Sequence, residues 1–288
     1  MTPIKLTDKA PMLSSKLEAM SPTLGRSLNE GLEGLGLKAS KQIWKQYRLL
    51  KGFKGYADLL TLPENQKKLG KSEIFTVGLT LQHANVSGVE TCAWRGHCTS
   101  VCVLDNGNGR YGTVQHARNV KTQFLNEHPE HFVRILASEL FKHSSERFKV
   151  LVRLNVNSDL RWYAILPELA NGHPSLPNVF SYDYTKNPAV LGGDGKVGNN
   201  YRAIFSVSEN SDLKKVKEFV RRGGTAAIVT DRKKNGKVLD SFMGEKVVDG
   251  DTSDDRYHES GVWVDLAAKG KARTMGDLGF VKKIYASV

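Results

Sequence analysis

From Ile74 onward, apolar residues come in short β-branched runs, and the stretches between them are amphipathic or polar. Runs at Ile74–Gln82, Lys149–Val156, Asn178–Tyr184, Tyr201–Val207 and Thr225–Thr230 read as strands, with shorter ones near Lys246–Val248 and Val262–Leu266. Helical spacing occupies Val114–Phe141, broken at Pro129, then Trp162–Asn171 and Asp212–Arg222, the last joined to its strand by Gly223-Gly224. Strands separated by helices indicate parallel βα units, because parallel neighbours need a crossover connection. The pattern predicts an α/β fold: a complete or partial TIM-like barrel of βα units, with an open doubly wound sheet as second choice.

Polar residues gather just past the expected strand ends. They are Asn155, Asn157, Ser158 and Asp159; Asp183 and Lys186; Ser208 and Glu209; and Asp231. Barrel active sites are built at that edge, so Asn155, Asp159, Asp183, Lys186, Glu209 and Asp231 are the candidate catalytic residues. Asn157, Ser158 and Ser208 are candidates to hold a cofactor. The plainer alternative for each is a helix cap, since Ser and Asp are favoured there.

Residues 1–72 follow a different pattern and form a basic helical N-terminal extension to the barrel domain at 73–288. One helical stretch runs from about Lys38 to Leu50, and no acidic residue occurs between Gly34 and Ala57. Lys38, Lys41, Lys45, Arg48 and Lys51 recur at helical spacing, with Trp44 interleaved, which suits phosphate contact plus base stacking. The alternative packs the aromatics inward and leaves the lysines in water. A second basic patch, Lys269, Lys271 and Arg273 with Lys282 and Lys283, reads as solvated surface.

Composition narrows the function classes. The 288 residues are 40% hydrophobic and 25% charged, which excludes general disorder. No apolar run reaches the roughly 20 residues that span a bilayer, and the N-terminus has no signal-peptide core. A cytoplasmic protein with no membrane partner is expected. The net charge of +12 favours a nucleic-acid partner.

The three cysteines, Cys92, Cys98 and Cys102, stand in one loop as C-x5-C-x3-C. Without an export signal a disulfide framework is not expected, and clustered thiols point to metal. Three thiolates can hold a 4Fe-4S cluster with one iron open, or zinc with His97 as fourth ligand. Acidic residues in Val248–Arg256 could wrap a hard cation, though a polar turn is the simpler account. Asn106–Gly112 matches neither phosphate fingerprint and reads as a turn.

A three-cysteine loop after the first strand resembles the radical S-adenosylmethionine enzymes, whose usual spacing is C-x3-C-x2-C. That resemblance implies S-adenosylmethionine at the open iron. From their strand-end positions, Asp159 or Glu209 is expected to hold the polar tail of such a small cofactor and Lys186 its anionic end. No glycine-rich motif follows the second strand. The region Thr91–Ala117 more closely resembles an uncharacterised family of bacteriophage proteins with a C-P-G-A…C…C-Y-A signature, whose cysteine positions are Cys92, Cys98 and Cys102 here. Later segments, including Tyr182–Lys186 and Val248–Asp251, extend the likeness over roughly 75–283. It implies phage origin, hence the host cytoplasm, and a barrel-like fold, without implying an activity.

Three functions follow as expectations. The first is a cluster-dependent barrel enzyme acting on nucleic acid or nucleotides. The second is a zinc-containing barrel that modifies a DNA base through an aspartate. The third is a non-catalytic nucleic-acid-binding protein whose metal staples a loop.

Overall fold

A computed structural model describes residues 12–65, 69–105, 107–233, 236–274 and 279–285. The helices are α1 (Leu13–Ala19), α2 (Ser21–Leu32), α3 (Leu37–Leu50), α4 (Ala84–Ser87), α5 (Gly112–Glu127), α6 (Pro129–Ser145), α7 (Trp162–Ile165), α8 (Pro167–Asn171) and α9 (Leu213–Arg221). The strands are β1 (Leu60–Thr61), β2 (Thr76–Leu79), β3 (Val150–Arg153), β4 (Val179–Thr185), β5 (Lys196–Gly198), β6 (Tyr201–Ser206), β7 (Thr225–Thr230), β8 (Ser241–Phe242), β9 (Glu245–Asp249), β10 (Val262–Ala267) and β11 (Val281–Lys282). The fold is mixed α/β.

One sheet carries the strands in the order β1-β2-β3-β4-β6-β7-β10-β9-β8, and among the described residues no pairing joins its two ends. Pairing is parallel from β2 through β3, β4, β6 and β7 to β10. From β2 to β7 each parallel strand is added beside the one before it; β9, also parallel, is then laid one position farther out, and β10 returns to fill the place between β7 and β9. All their C-terminal ends therefore open on one edge. β11 returns alongside β7, pairing Val281 with Val229 and Lys282 with Thr230.

Local chemistry sets the crossovers. Pro129 opens α6, separating it from α5 at His128, because proline is tolerated in the first turn of a helix and disfavoured inside it. Asp212 caps α9 by accepting the Lys214 and Lys215 N–H groups, and Val216, Phe219 and Val220 face the core. Gly223, at φ 98°, ends that helix in a conformation that side chains rarely adopt.

Alternation along the strands divides the core. Val150, Val152, Val179 and Tyr201 join α2, α5 and α6 in one apolar cluster, while Ala226, Ile228 and Trp263 pack on α9. On the opposite face, Leu151, Tyr182, Ile204, Ala227 and Val264 are covered by the segment 250–261. That segment brings Asp254 to Arg153 at 2.9 Å and to the Tyr182 hydroxyl at 3.2 Å. Asp249 and Asp251 meet Arg232 at 3.0 and 3.1 Å. Three of the acidic residues in this stretch are thus paired with arginines, in keeping with the polar-turn account.

The basic extension is built into this core. Leu24 and Leu28 of α2 are fully buried, and Gly31 lets α2 approach α6 so closely that a Cβ there would lie 2.4 Å from the Arg134 carbonyl. β1 pairs with β2 across the 72/73 boundary expected from composition. Trp44, offered as a base-stacking residue, is 2% exposed and packs tilted against Phe124, with ring centroids 4.8 Å apart. Its ring is a core element, because the apolar side of α3 faces α5 and α6. Lys38, Lys41, Lys45 and Lys51 remain exposed, and Arg48 is half-buried. Among the described residues no helix is long and apolar enough to cross a membrane.

Candidate functional site

The cysteine loop leaves the C-terminal end of β2 and is anchored at each step. Leu81 N donates to Asn157 Oδ1 at 2.9 Å, and Asp159 N donates to the Thr91 carbonyl at 2.7 Å. A parallel bridge then sets Cys92 beside Asp159. Cys92 N donates to Glu90 Oε1 at 2.8 Å, and Arg95 pairs with the same carboxylate at 2.8 Å. Cys98 lies in a short 3-10 turn at His97–Val101, and Cys102 ends it. Farther on, Arg118 donates to the Gly109 carbonyl at 2.6 Å. That bond braces Gly107–Arg110 from behind, in keeping with a structural turn; Asn106 lies outside the described residues.

Three later strand ends meet this loop. Lys186, one residue past β4, places Nζ 3.3 Å from Cys98 Sγ. Asp159, past β3, accepts Lys186 N at 2.9 Å through Oδ2, while its buried Oδ1 has no hydrogen-bond partner among the described residues. Glu209, past β6, accepts His97 N at 2.8 Å. The Cys92 thiol lies 3.7 Å from the Asn157 carbonyl. None of the three thiols is in a disulfide, and all are half-buried.

Electrostatics ties these groups together. Burial pushes the Cys92 thiol well up, and Asp159 adds to it. Burial also raises Cys102, which senses both Cys98 and Lys186. Burial would lower the Lys186 ammonium, but Cys98 and Asp159 outweigh it and hold it above the usual lysine value. Burial raises the Asp159 carboxyl. At Glu209 burial acts upward, but the His97 and Glu209 N–H groups with the charges of His97 and Lys186 together outweigh it, leaving the carboxyl below its usual range. A lysine ammonium thus stands among three thiols. Among the described residues, no three His, Cys, Asp or Glu side chains already stand together as an ion-binding group.

The other rim residues have different surroundings. Asp183 accepts Asn155 N at 2.6 Å, Asn155 Nδ2 at 3.2 Å and the Tyr201 hydroxyl. Asn155 Oδ1 accepts Ser158 Oγ at 2.8 Å and Leu160 N at 3.0 Å. Asn155, Ser158 and Asp183 are buried and engaged with one another, so they brace the loop between β3 and β4. Burial raises the Asp183 carboxyl to about 7. Asp231 accepts Ile284 N and Tyr285 N at 3.0 and 2.9 Å, pinning the C-terminal segment. Ser208 bonds to Ser211. His97 is exposed, with its backbone held by Glu209.

Sequence reasoning missed Glu90, Gly96 and Arg118. Glu90 stands two residues before Cys92 and was within reach of inspection. Gly96 and Arg118 carry no local signal, because their neighbours are distant in the chain. The family described as Gene product 88 matches this chain over residues 49–283, a span that takes in the thiol loop and every rim residue above. No curated protein and no solved structure matches it.

Proposed function

This chain belongs to the gene product 88 family of phage-type proteins, and from that premise we propose a metal-dependent enzyme acting on nucleic acid or nucleotides. Its centre is an iron–sulfur cluster held by Cys92, Cys98 and Cys102. The observation that carries the reading is the meeting of Asp159, Lys186 and Glu209, from three successive strand ends, with one three-thiol loop. The one-directional parallel order from β2 to β7 supports a partial TIM-like barrel over a doubly wound sheet.

The donor set fits such a group. Thiolates are soft ligands that select iron–sulfur clusters or zinc over magnesium or calcium. Among the described residues the buried Asp159 Oδ1 is a polar atom still lacking a partner, and leaving such an atom unsatisfied costs about 1–3 kcal/mol. A bound cluster supplies redox chemistry, and with one iron open it offers a position for a small cofactor such as S-adenosylmethionine. Around it, Lys186 balances thiolate charge and can hold an anionic group. Asp159 Oδ1 can accept a proton donor from a ligand. Glu209 Oε1 is engaged with His97, which gives Glu209 a part in holding the loop.

Anaerobic purification followed by iron, sulfide and zinc analysis tests this. The expected result is a coloured protein with stoichiometric iron and sulfide, and loss of both in C92S, C98S and C102S. Zinc without iron would move the reading to a zinc-centred barrel or a metal-stapled binding protein. A protein that takes up neither metal would overturn the thiol site.

A further inference from the structure

Residues 267–283 contain five basic residues and one acidic residue, and the described parts of this stretch, 267–274 and 279–283, lie on the strand edge of the thiol loop. Leaving β10, the chain forms a 3-10 turn at Gly270–Arg273 that packs on the His97–Val101 turn. Gly279 then lies against Glu209, where an added Cβ would come within 2.9 Å of the Glu209 Cβ. At β11 it rejoins the sheet beside the end of β7. The crossover thus starts and finishes on the strand edge that carries the cysteines.

Its cations differ in their partners. Lys269 pairs with Asp251 at 2.5 Å, and Lys282 Nζ donates to the Gly279 carbonyl at 2.9 Å. Lys271, Arg273 and Lys283 are exposed and have no ion-pair partner among the described residues. Solvated lysines scattered over a surface need no explanation. Lys271 and Arg273 stand on the turn packed against the His97–Val101 turn, and Lys283 follows β11, so these cations share the strand edge that carries the three thiols and the half-buried Lys186.

We propose that this crossover, through Lys271, Arg273 and Lys283, is the phosphate-binding edge of the thiol site and holds the backbone of a nucleic acid. The proposal rests on the nucleic-acid half of the function above and moves the footprint from α3 to the rim. α3 presents a single row of lysines whose interleaved aromatics Trp44 and Tyr47 are buried, so it offers charge without a stacking surface. The crossover places its charge where the candidate chemistry stands. A polynucleotide suits three separated cations better than a mononucleotide, because each neutralised phosphate releases condensed counterions.

The test is fluorescence anisotropy of a labelled single-stranded DNA 20-mer with the full chain over a salt series. K271Q/R273Q/K283Q is compared with K38Q/K41Q/K45Q, and circular dichroism and metal content are read on the same preparations. Each phosphate contact contributes about 0.7 to the log–log salt slope for single strands, so the rim variant should lose about 2 and weaken binding on the order of tenfold at low salt. An unchanged slope in a folded rim variant overturns the edge, as does a slope lost only in the α3 variant or a wild type that does not bind the DNA. Metal present with an unchanged rim slope refutes the edge alone. Rim-dependent binding without any metal refutes the thiol site and leaves the edge standing.

Discussion

Gly96 lies so close to Glu209 that a Cβ on it would fall 1.9 Å from the Glu209 carboxylate oxygen that also accepts His97 N. The glycine makes room for the carboxylate, and the carboxylate fixes the residue before Cys98. G96A should therefore push the carboxylate aside and cost about 1 kcal/mol with its hydrogen bond to His97 N. E209A should lose about 1 kcal/mol with its hydrogen bond. In the E209A background, G96A should cost almost nothing further, because its Cβ then has space. Urea unfolding of the two single variants and the double variant reads this coupling. Additive costs would mean that the two residues do not oppose each other.

Thiol reactivity should follow the electrostatics. Cys92 is raised first by burial and then by Asp159, so at pH 8 it should be the last of the three to be alkylated. D159N removes the negative neighbour and should speed Cys92 labelling several-fold. Peptide mass spectrometry over an iodoacetamide time course checks this. A Cys92 that labels first, or that is unaffected by D159N, would contradict the assigned contacts.

Asp183 gives a signed pH dependence. Burial raises its carboxyl to about 7 in the folded chain, above the unfolded value near 3.9. The protonated form is therefore favoured by folding. Its contribution is fully present below about pH 4 and is lost as pH rises through about 7. Wild type should lose more stability between pH 5 and pH 8 than D183N does. Paired denaturation curves at the two pH values measure the difference; equal losses would show that Asp183 does not titrate this way.

The covered face of the sheet depends on a buried ion pair. Arg153 and Asp254 meet at 2.9 Å, with side chains 5% and 0% exposed. Removing one partner strands the other charge, so R153M and D254A should each cost about 3–5 kcal/mol. R153M/D254L should recover part of that loss, since an apolar pair leaves no buried charge. Thermal melting of the three variants reads the result, and a double variant worse than either single would argue against it.

α3 separates core from surface within one helix. W44A should cost about 3–5 kcal/mol through the cavity left beside Phe124. K38Q/K41Q/K45Q should stay within about 0.5 kcal/mol of wild type for each site. Urea midpoints distinguish the two sides of the helix.

Much of this architecture was legible along the chain because it is periodic. The strands at 179–185, 201–206 and 225–230 and the break at Pro129 follow from two-residue and helical spacing and from proline's missing donor, all local properties. The sequence by itself also placed the cysteine loop behind the first parallel strand and named Asp159, Lys186 and Glu209 as strand-end residues. What only the tertiary structure decided is how those residues sort. Asn155 and Asp183 look like Asp159 in sequence, yet they close on each other, while Asp159 keeps a free oxygen beside Cys92. Trp44 sits among lysines in sequence and in the core in space. Lys186 and Cys98 are 88 residues apart, Glu209 and His97 are 112 apart, and Arg153 and Asp254 are 101 apart. A local window cannot contain such pairs; they exist because parallel strands, added side by side, deliver every loop to the same edge.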